Sequence, residues 1–170
     1  AVVALDAPPH SGAQQSAEPS VVYVVDDNDH VREQVRAVLE AEGRTVADFA
    51  TSEAFLAAFR PGGAGCLLID AYLPGMSGIE ALQTLRTARQ QIPAIIMTGS
   101  SDVGVAVEAM KSGAMDFIEK PVARSELLAA ISRALELSRD RNKLVAWHKA
   151  AASQLADLTH RQRQIMDLVL

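Results

Sequence analysis

Cysteines, aromatic residues and long apolar runs are all scarce in this chain of 170 residues. Its single cysteine, Cys66, excludes an intramolecular disulfide and a zinc site built from several thiolates. Four Phe, two Tyr and one Trp are too few to favour an aromatic-lined sugar or cofactor groove. No apolar run approaches the roughly 18–20 residues of a membrane span, and the first residues lack the basic and apolar regions of a secretory signal. We therefore expect a cytoplasmic protein that makes no membrane contact.

Basic residues are also in the minority, and their distribution divides the chain. The 16 Lys and Arg against 21 Asp and Glu leave a net charge of −5, which argues against a protein that coats nucleic acid. Residues 20–137 carry a net charge of −6, whereas residues 138–170 carry +3. Residues 1–19 mix Ala, Pro, Ser and Gln without apolar periodicity, which predicts a disordered tail. An acidic domain followed by a basic segment is therefore expected.

Five short apolar runs alternate with helical patterns from residue 20 onward. The predicted strands are 21–25, 45–49, 66–69, 94–97 and 115–118, and the predicted helices are 29–42, 53–60, 79–89, 103–112 and one from 122. Ser52 and Asp102 are the predicted N-caps of the second and fourth helices. Continuous apolar strands are typical of parallel sheets covered on both faces. The alternation and the short connections predict an α/β fold with an open, doubly wound sheet.

Reactive side chains stand where these strands end. Asp26 and Asp27 follow the first strand, Asp70 ends the third, Thr98 the fourth and Lys120 the fifth. Because ligands of such folds bind outside the carboxyl ends of the strands, we expect these side chains to meet. Three carboxylates need a counter-charge, and oxygen ligands in an incomplete cage suit Mg²⁺. A carboxylate can then act as a phosphoryl nucleophile, with metal and lysine neutralising the phosphoryl charge.

With these residues in place, the chain resembles the receiver domain of bacterial response regulators, in the FixJ-like group, over about residues 20–140. The likeness rests on VVYVVDDNDHVRE, LLIDAYLPGMSGIE, IIMTGSSD and AMKSGAMDFIEKP. It implies a flavodoxin-like (βα)5 fold whose five parallel strands have the order 2-1-3-4-5. It also implies a two-component response regulator that accepts a phosphoryl group from a sensor histidine kinase, and not an enzyme with an external substrate.

The resemblance assigns roles to the matching positions. Asp70 is the expected phosphoacceptor. The expected Mg²⁺ ligands are Asp26, Asp27, Asp70 and the backbone carbonyl of Tyr72. Tyr72 and Ser100 stand two residues beyond Asp70 and Thr98, where the family controls access of water and phosphodonor. The lifetime of the phosphorylated state is therefore left open.

A conformational switch is also implied by the resemblance. Thr98 and Lys120 are expected to contact the phosphoryl group, and Thr98 and Phe117 are expected to move with phosphorylation. The Lys120–Pro121 peptide bond is expected to be cis, which an X–Pro bond tolerates. Phosphorylation would then promote homodimer formation through the face built by the fourth helix, fifth strand and fifth helix.

The segment after the predicted receiver (residues 20–138) has no glycine or proline, so residues 122–156 can form one long helix. Residues 139–157 are interpreted as a helical linker, which either packs on its own receiver or pairs with a second chain as a coiled coil. Residues 158–170, LTHRQRQIMDLVL, resemble the opening of a LuxR-type helix-turn-helix domain, with Gln162 where Glu is usual. The recognition helix is missing from the sequence, so DNA is expected to bind only through an output domain that is mostly absent.

Two other functions remain open. A receiver of this kind can act through protein–protein contacts of its long helix, without a DNA-binding output. A Mg²⁺-dependent phosphatase with an aspartate nucleophile is less favoured, because Asp70 is followed by Ala71 and Tyr72 and so lacks the DxD loop of haloacid-dehalogenase-type enzymes.

Overall fold

A computed structural model describes residues 20–99 and 103–140, and within these ranges five strands alternate with five helices. The strands are β1 (Val21–Val25), β2 (Thr45–Phe49), β3 (Gly65–Asp70), β4 (Ala94–Gly99) and β5 (Asp116–Lys120). The helices are α1 (Asp29–Ala41), α2 (Ser52–Ala58), α3 (Gly78–Thr87), α4 (Val103–Lys111) and α5 (Arg124–Arg139). None of these helices is both long enough and apolar enough to cross a membrane.

All five strands are parallel and lie in the order β2-β1-β3-β4-β5, which confirms the predicted α/β, flavodoxin-like class. The register of the two central strands positions the site. Val25 at the end of β1 pairs with Ile69 of β3, so the next residues along the two strands, Asp26 and Asp70, emerge side by side. The crossovers on either side of this strand pair run in opposite directions along the sheet, which leaves a crevice at its carboxyl edge.

Helices cover both faces of the sheet, which explains the continuous apolar strands. The first core cluster joins α1 and α5 to one face and includes Val35, Leu39, Leu127, Ile131 and Leu135. The second joins α2, α3 and α4 to the other face and includes Phe55, Phe59, Leu82, Leu85 and Ala109. Every residue of β3 is buried, since alternate side chains of this strand enter the two clusters.

The start of α2 differs from the prediction by one residue. Thr51, and not Ser52, is the N-cap, because the Thr51 hydroxyl accepts a hydrogen bond from the N–H of Ala54. Ser52 is instead the first helical residue and is fully buried. Neighbouring hydroxyl residues are equivalent cap candidates in a sequence, and packing of Ser52 into the interior decided between them.

The long C-terminal helix predicted from residue 122 is shorter in the described part of the chain. α5 begins at Arg124 and ends at Arg139, and Asp140 has an extended backbone. Two physical causes act here. A carboxylate is unfavourable at the negative end of a helix dipole, and Ser138 already reaches the edge of the sheet, where its hydroxyl accepts from the N–H of Gly65. The predicted tail (1–19), the Asp102 cap and the segment 141–170 lie outside the described residues.

Candidate functional site

The acidic pair, the third-strand aspartate and the fifth-strand lysine lie together at the carboxyl edge of the sheet. Asp26 follows β1 and is fully buried, and Asp70 ends β3 with 6% of its surface exposed. Asp27, the next residue after Asp26, is exposed. The site therefore has a buried floor and an open rim.

Lys120 joins the two buried carboxylates. Its Nζ donates a hydrogen bond to Oδ2 of Asp70 at 2.7 Å and forms an ion pair with Oδ2 of Asp26 at 2.6 Å. The second contact lacks hydrogen-bond geometry, so Asp26 Oδ2 is a buried oxygen without a hydrogen-bond partner within the described ranges. The Lys120 ammonium, 2.6 Å away, compensates the charge of this oxygen.

Local turns orient the same two carboxylates. The N–H of Asn28 donates to Oδ1 of Asp26 at 2.8 Å, and the N–H of Tyr72 donates to Oδ1 of Asp70 at 2.9 Å. Both bonds span two residues, the spacing of Asx turns. The Asn28 side chain in turn caps α1. Each buried aspartate is therefore held by a turn on one oxygen and by Lys120 on the other.

Burial and the neighbouring charges change the acidity of two groups. Desolvation raises the pKa of Asp70 and outweighs the opposing contacts with Lys120 and the Tyr72 N–H, while the charge of Asp26 adds to the increase. Burial lowers the pKa of Lys120, but its contacts with Asp26 and Asp70 raise it by more. Lys120 is therefore a cation at neutral pH.

The three aspartates fit a divalent metal ion. Ligand oxygens of Asp26, Asp27 and Asp70 all lie within 4.8 Å of one another. Lys120 compensates only part of their combined charge, and Asp26 Oδ2 is the buried oxygen left without a hydrogen bond. A set of oxygen donors with excess negative charge and an open side suits a hard cation such as Mg²⁺.

The remaining predicted residues differ in their exposure. Thr98 lies in β4 with 1% of its surface exposed. Tyr72, next to the site, is 58% exposed, and Phe117, on the edge strand β5, is 42% exposed. Both aromatic rings are therefore accessible to solvent. The Lys120–Pro121 bond is cis, and Ser100 lies outside the described residues.

Three residues that sequence reasoning missed contact the backbone of the site. Gly78 begins α3 against the carbonyl of Asp70, since a Cβ at this position would lie 2.1 Å from that oxygen. Glu53 of α2 accepts from the N–H of Met76 at 2.8 Å and holds the β3–α3 loop. Arg32 of α1 donates to the carbonyl of Asp26 at 2.6 Å. Of these three residues, only Gly78 could have been noticed in the sequence, as a glycine at the start of a helix. The contacts of Glu53 and Arg32 depend on tertiary structure.

An apolar groove of about 530 Å³ opens next to the cluster, between α1 and the β5–α5 connection. Lys120 belongs both to the lining of this groove and to the site. Its lining residues are Val31, Gln34, Val35, Ala37, Val38, Lys120, Pro121, Val122, Arg124 and Leu127.

Comparison with known proteins agrees with this geometry. The family model for the response regulator receiver domain matches residues 22–132. The transcriptional regulatory protein FixJ of Azorhizobium caulinodans is 37% identical over 149 residues, which cover 88% of this chain and 71% of that protein. The response regulator protein TodT of Pseudomonas putida is 33% identical over 155 residues, covering 91% and 68%. The solved structure of the response regulator StyR aligns with a TM-score of 0.70 at 36% identity, covering 89% and 77%.

Proposed function

The chain belongs to the response regulator receiver domain family, and we propose that Asp70 accepts a phosphoryl group from a sensor histidine kinase. The observation that carries this proposal is the lysine bridge, in which Lys120 contacts Asp26 and Asp70 at the open edge of the sheet. A transferred phosphoryl group would bring negative charge to Asp70. The Lys120 ammonium already contacts this carboxylate and so can compensate that charge.

In the proposed reaction, a carboxylate oxygen of Asp70 attacks phosphorus and the bond between phosphorus and the donor nitrogen breaks. The bonding electrons return to the donor imidazole, and Asp70 becomes an acyl phosphate. Mg²⁺ held by Asp26, Asp27, Asp70 and the Tyr72 carbonyl would supply further positive charge. Lys120 pairs with the phosphoryl oxygens, and the Thr98 hydroxyl donates to one of them. The Tyr72 N–H and the Asn28 N–H hold the two carboxylates in orientation.

The signal is proposed to reach β5 and α4. New phosphoryl charge on Asp70 attracts Thr98 and Lys120, and the exposed ring of Phe117 rotates inward on β5. This would reshape the face of α4, β5 and α5 and favour a homodimer. The unphosphorylated arrangement, with Phe117 outward, is the expected resting state.

Phosphorylation by acetyl phosphate with MgCl₂ tests the proposed acceptor. We expect one phosphoryl group on the wild-type chain, none on Asp70→Asn, and wild-type labelling on Glu126→Gln, a change of an exposed carboxylate on α5 outside the cluster. Phosphate-affinity electrophoresis and intact mass measure the product. An unlabelled wild type, or an Asp70→Asn variant that is labelled equally, would refute the proposal.

Control of transcription is the proposed output. The matched relative FixJ is a transcriptional regulatory protein by name, and residues 158–170 resemble the start of a helix-turn-helix domain. In a longer protein that contains this chain, the proposal requires a recognition helix after Leu170. A following sequence without one would favour the alternative output, in which protein contacts of the segment after α5 carry the signal.

The enzymatic alternative makes a different prediction. A phosphatase with an aspartate nucleophile would turn over small phosphoesters many times, whereas a receiver hydrolyses only its own phosphoaspartate. A steady-state assay with p-nitrophenyl phosphate separates the two, and we expect no multiple turnover.

A further inference from the structure

Arg32 connects the acidic pair to two neighbouring elements. Its guanidinium donates to the backbone carbonyl of Asp26 at 2.6 Å and to Oδ2 of Asp48 on β2 at 3.1 Å. A third contact goes to the carboxylate of Asp29, in the first turn of α1. The Arg32 side chain is only 14% exposed, so most of it packs against α1 and β2.

The carbonyl that Arg32 holds belongs to the peptide unit between Asp26 and Asp27. A peptide unit is planar, so fixing its oxygen fixes the direction in which the chain leaves Asp26 and presents Asp27. The N–H of Asp26 is bonded separately to the carbonyl of Phe49. The side chain of Asp26 is held by Asn28 and Lys120, whereas Asp27 is exposed.

Arg32 is itself held in position from β2. Asp48 accepts from Arg32 on one oxygen and from Arg36 on the other, at 3.1 and 2.6 Å. Arg36 stands one turn farther along α1 and also donates to Glu40. The two arginines therefore share one anchor, but the Arg32 guanidinium is the one that bonds the site's backbone.

We propose that Arg32 is a positioning residue that orients the Asp26–Asp27 peptide and thereby sets the affinity of the carboxylate cluster for Mg²⁺. The inference rests on the proposed function, because it assumes that the three aspartates bind this ion. Groups that orient metal ligands through hydrogen bonds typically contribute 10–100-fold to metal affinity. Holding one peptide unit near the end of a strand should give the lower end of that range, about tenfold.

A simple charge effect would have the opposite sign. A cation near an acidic cluster repels Mg²⁺, so its removal should tighten metal binding. Here Asp29 and Asp48 already pair with the guanidinium, which leaves little net charge to repel the ion. Removing Arg32 is therefore expected to weaken Mg²⁺ binding, and the direction of change separates orientation from charge.

Calorimetric titration of the full chain with MgCl₂, without a phosphodonor, tests this inference. The variants are Arg32→Met, Arg32→Lys and the matched control Arg36→Met. Lysine keeps the positive charge but cannot reproduce the forked donation of a guanidinium to several acceptors. We expect about tenfold weaker binding for both Arg32 variants and a change of less than about twofold for Arg36→Met.

Other changes in Mg²⁺ affinity would contradict the inference. Equal or tighter binding by Arg32→Met, wild-type binding by Arg32→Lys, or an equal loss in Arg36→Met would overturn the positioning role. If the wild type binds no Mg²⁺, both this inference and the proposed metal site are wrong. If the wild type binds Mg²⁺ and the Arg32 variants bind it equally well, only this inference is wrong. Circular dichroism and thermal unfolding in EDTA establish whether each variant is folded. If Arg32→Met does not fold, the result for Arg32→Lys still decides the test.

Discussion

At the scale of single residues, burial changes the acidity of the site as much as neighbouring charges do. Asp70 is nearly buried, and desolvation raises its pKa although Lys120 donates to it. Ionised Asp70 is therefore held at a cost to folding, which is the arrangement expected of a nucleophile that later gains partners. Lys120 compensates two carboxylates at once, so neither is fully neutralised.

The pH dependence of Asp70→Asn follows from this direction. A carboxyl whose folded pKa lies above its unfolded value stabilises the fold when protonated, and the contribution is lost as pH rises through that pKa. Asparagine resembles the protonated form, so we expect Asp70→Asn to have a higher Tm than wild type at pH 7 in EDTA. The difference should shrink as pH falls below Asp70's pKa. A variant that is less stable at pH 7 would contradict the reasoning.

Gly78 is the clearest steric requirement near the proposed acceptor, Asp70. An alanine Cβ would lie 2.1 Å from the Asp70 carbonyl oxygen and 2.9 Å from its carbon, so α3 or the end of β3 must move. Overpacking of this kind typically costs about 1–3 kcal/mol. We expect Gly78→Ala to lower the free energy of unfolding by this amount in denaturant titrations and to slow labelling by acetyl phosphate.

Gly99→Ala is the matched stability control for Gly78→Ala. Among the described residues, no atom lies within 4 Å of the position its Cβ would take, and Gly99 also lies at the carboxyl edge of the sheet. The same loss of stability in both variants would show that the close approach of α3 is not the cause.

At the scale of elements, α5 presents two different charged faces. Arg133 pairs with Asp116 of β5 at 2.9 Å, and Arg124 pairs with Glu42 at the end of α1 at 2.8 Å. The two arginines are almost equally exposed, at 57% and 58%. Only Arg133 lies on the face of α4, β5 and α5, so the helix offers a variant and its control.

Reversing the charge on this face should prevent dimer formation. In Arg133→Glu the exposed cation of the proposed face becomes an anion beside Asp116, so two copies of this face carry more negative charge and repel each other. With beryllofluoride and MgCl₂, we expect a dimer for wild type and Arg124→Glu, and at least about tenfold weaker dimerisation for Arg133→Glu. Size-exclusion chromatography with light scattering measures the mass. A normal dimer of Arg133→Glu would place the contact elsewhere.

At the scale of the whole molecule, the site has two open neighbours. The apolar groove between α1 and the β5–α5 connection shares Lys120 with the site, whereas the proposed dimer face lies around β5, the edge strand. A kinase that delivers a phosphoryl group to Asp70 must cover the open rim, and the groove is the adjoining apolar surface. Kinase contact and dimer contact can therefore use different sides of the same receiver.

Blocking the groove should separate kinase-dependent from kinase-independent phosphorylation. Ala37 is exposed and lines the groove, so Ala37→Tyr fills it at a modest helix-propensity cost of about 0.5 kcal/mol. We expect phosphotransfer from the phosphorylated cognate kinase to slow about tenfold, equivalent to ~1.4 kcal/mol. Labelling by acetyl phosphate should not change.

Ala41→Tyr controls for the added ring. Ala41 is also exposed and ends the same helix, outside the groove lining. Equal phosphotransfer rates for Ala37→Tyr and wild type would exclude the groove as the kinase contact.

Much of the fold was predictable because its signals are local. The apolar strands, the turn residues and the helical periodicity gave the alternation and the doubly wound class, with boundaries mostly within one or two residues. Boundaries failed where tertiary contacts decide them, as for the buried Ser52 and for α5, whose last turn meets Gly65. An uninterrupted run of helix-forming residues predicts a helix but does not predict where packing ends it.

The sequence by itself determined which residues stand at the ends of the strands, because strand length and turn chemistry are local properties. It therefore predicted that Asp26, Asp70 and Lys120 would meet. Only the tertiary structure decided that one lysine bridges both aspartates, that α3 packs against the Asp70 carbonyl, and that Arg32 joins Asp26 to Asp48. These contacts depend on strand register and helix docking, which arise from burial of the whole core and leave no local pattern in the chain.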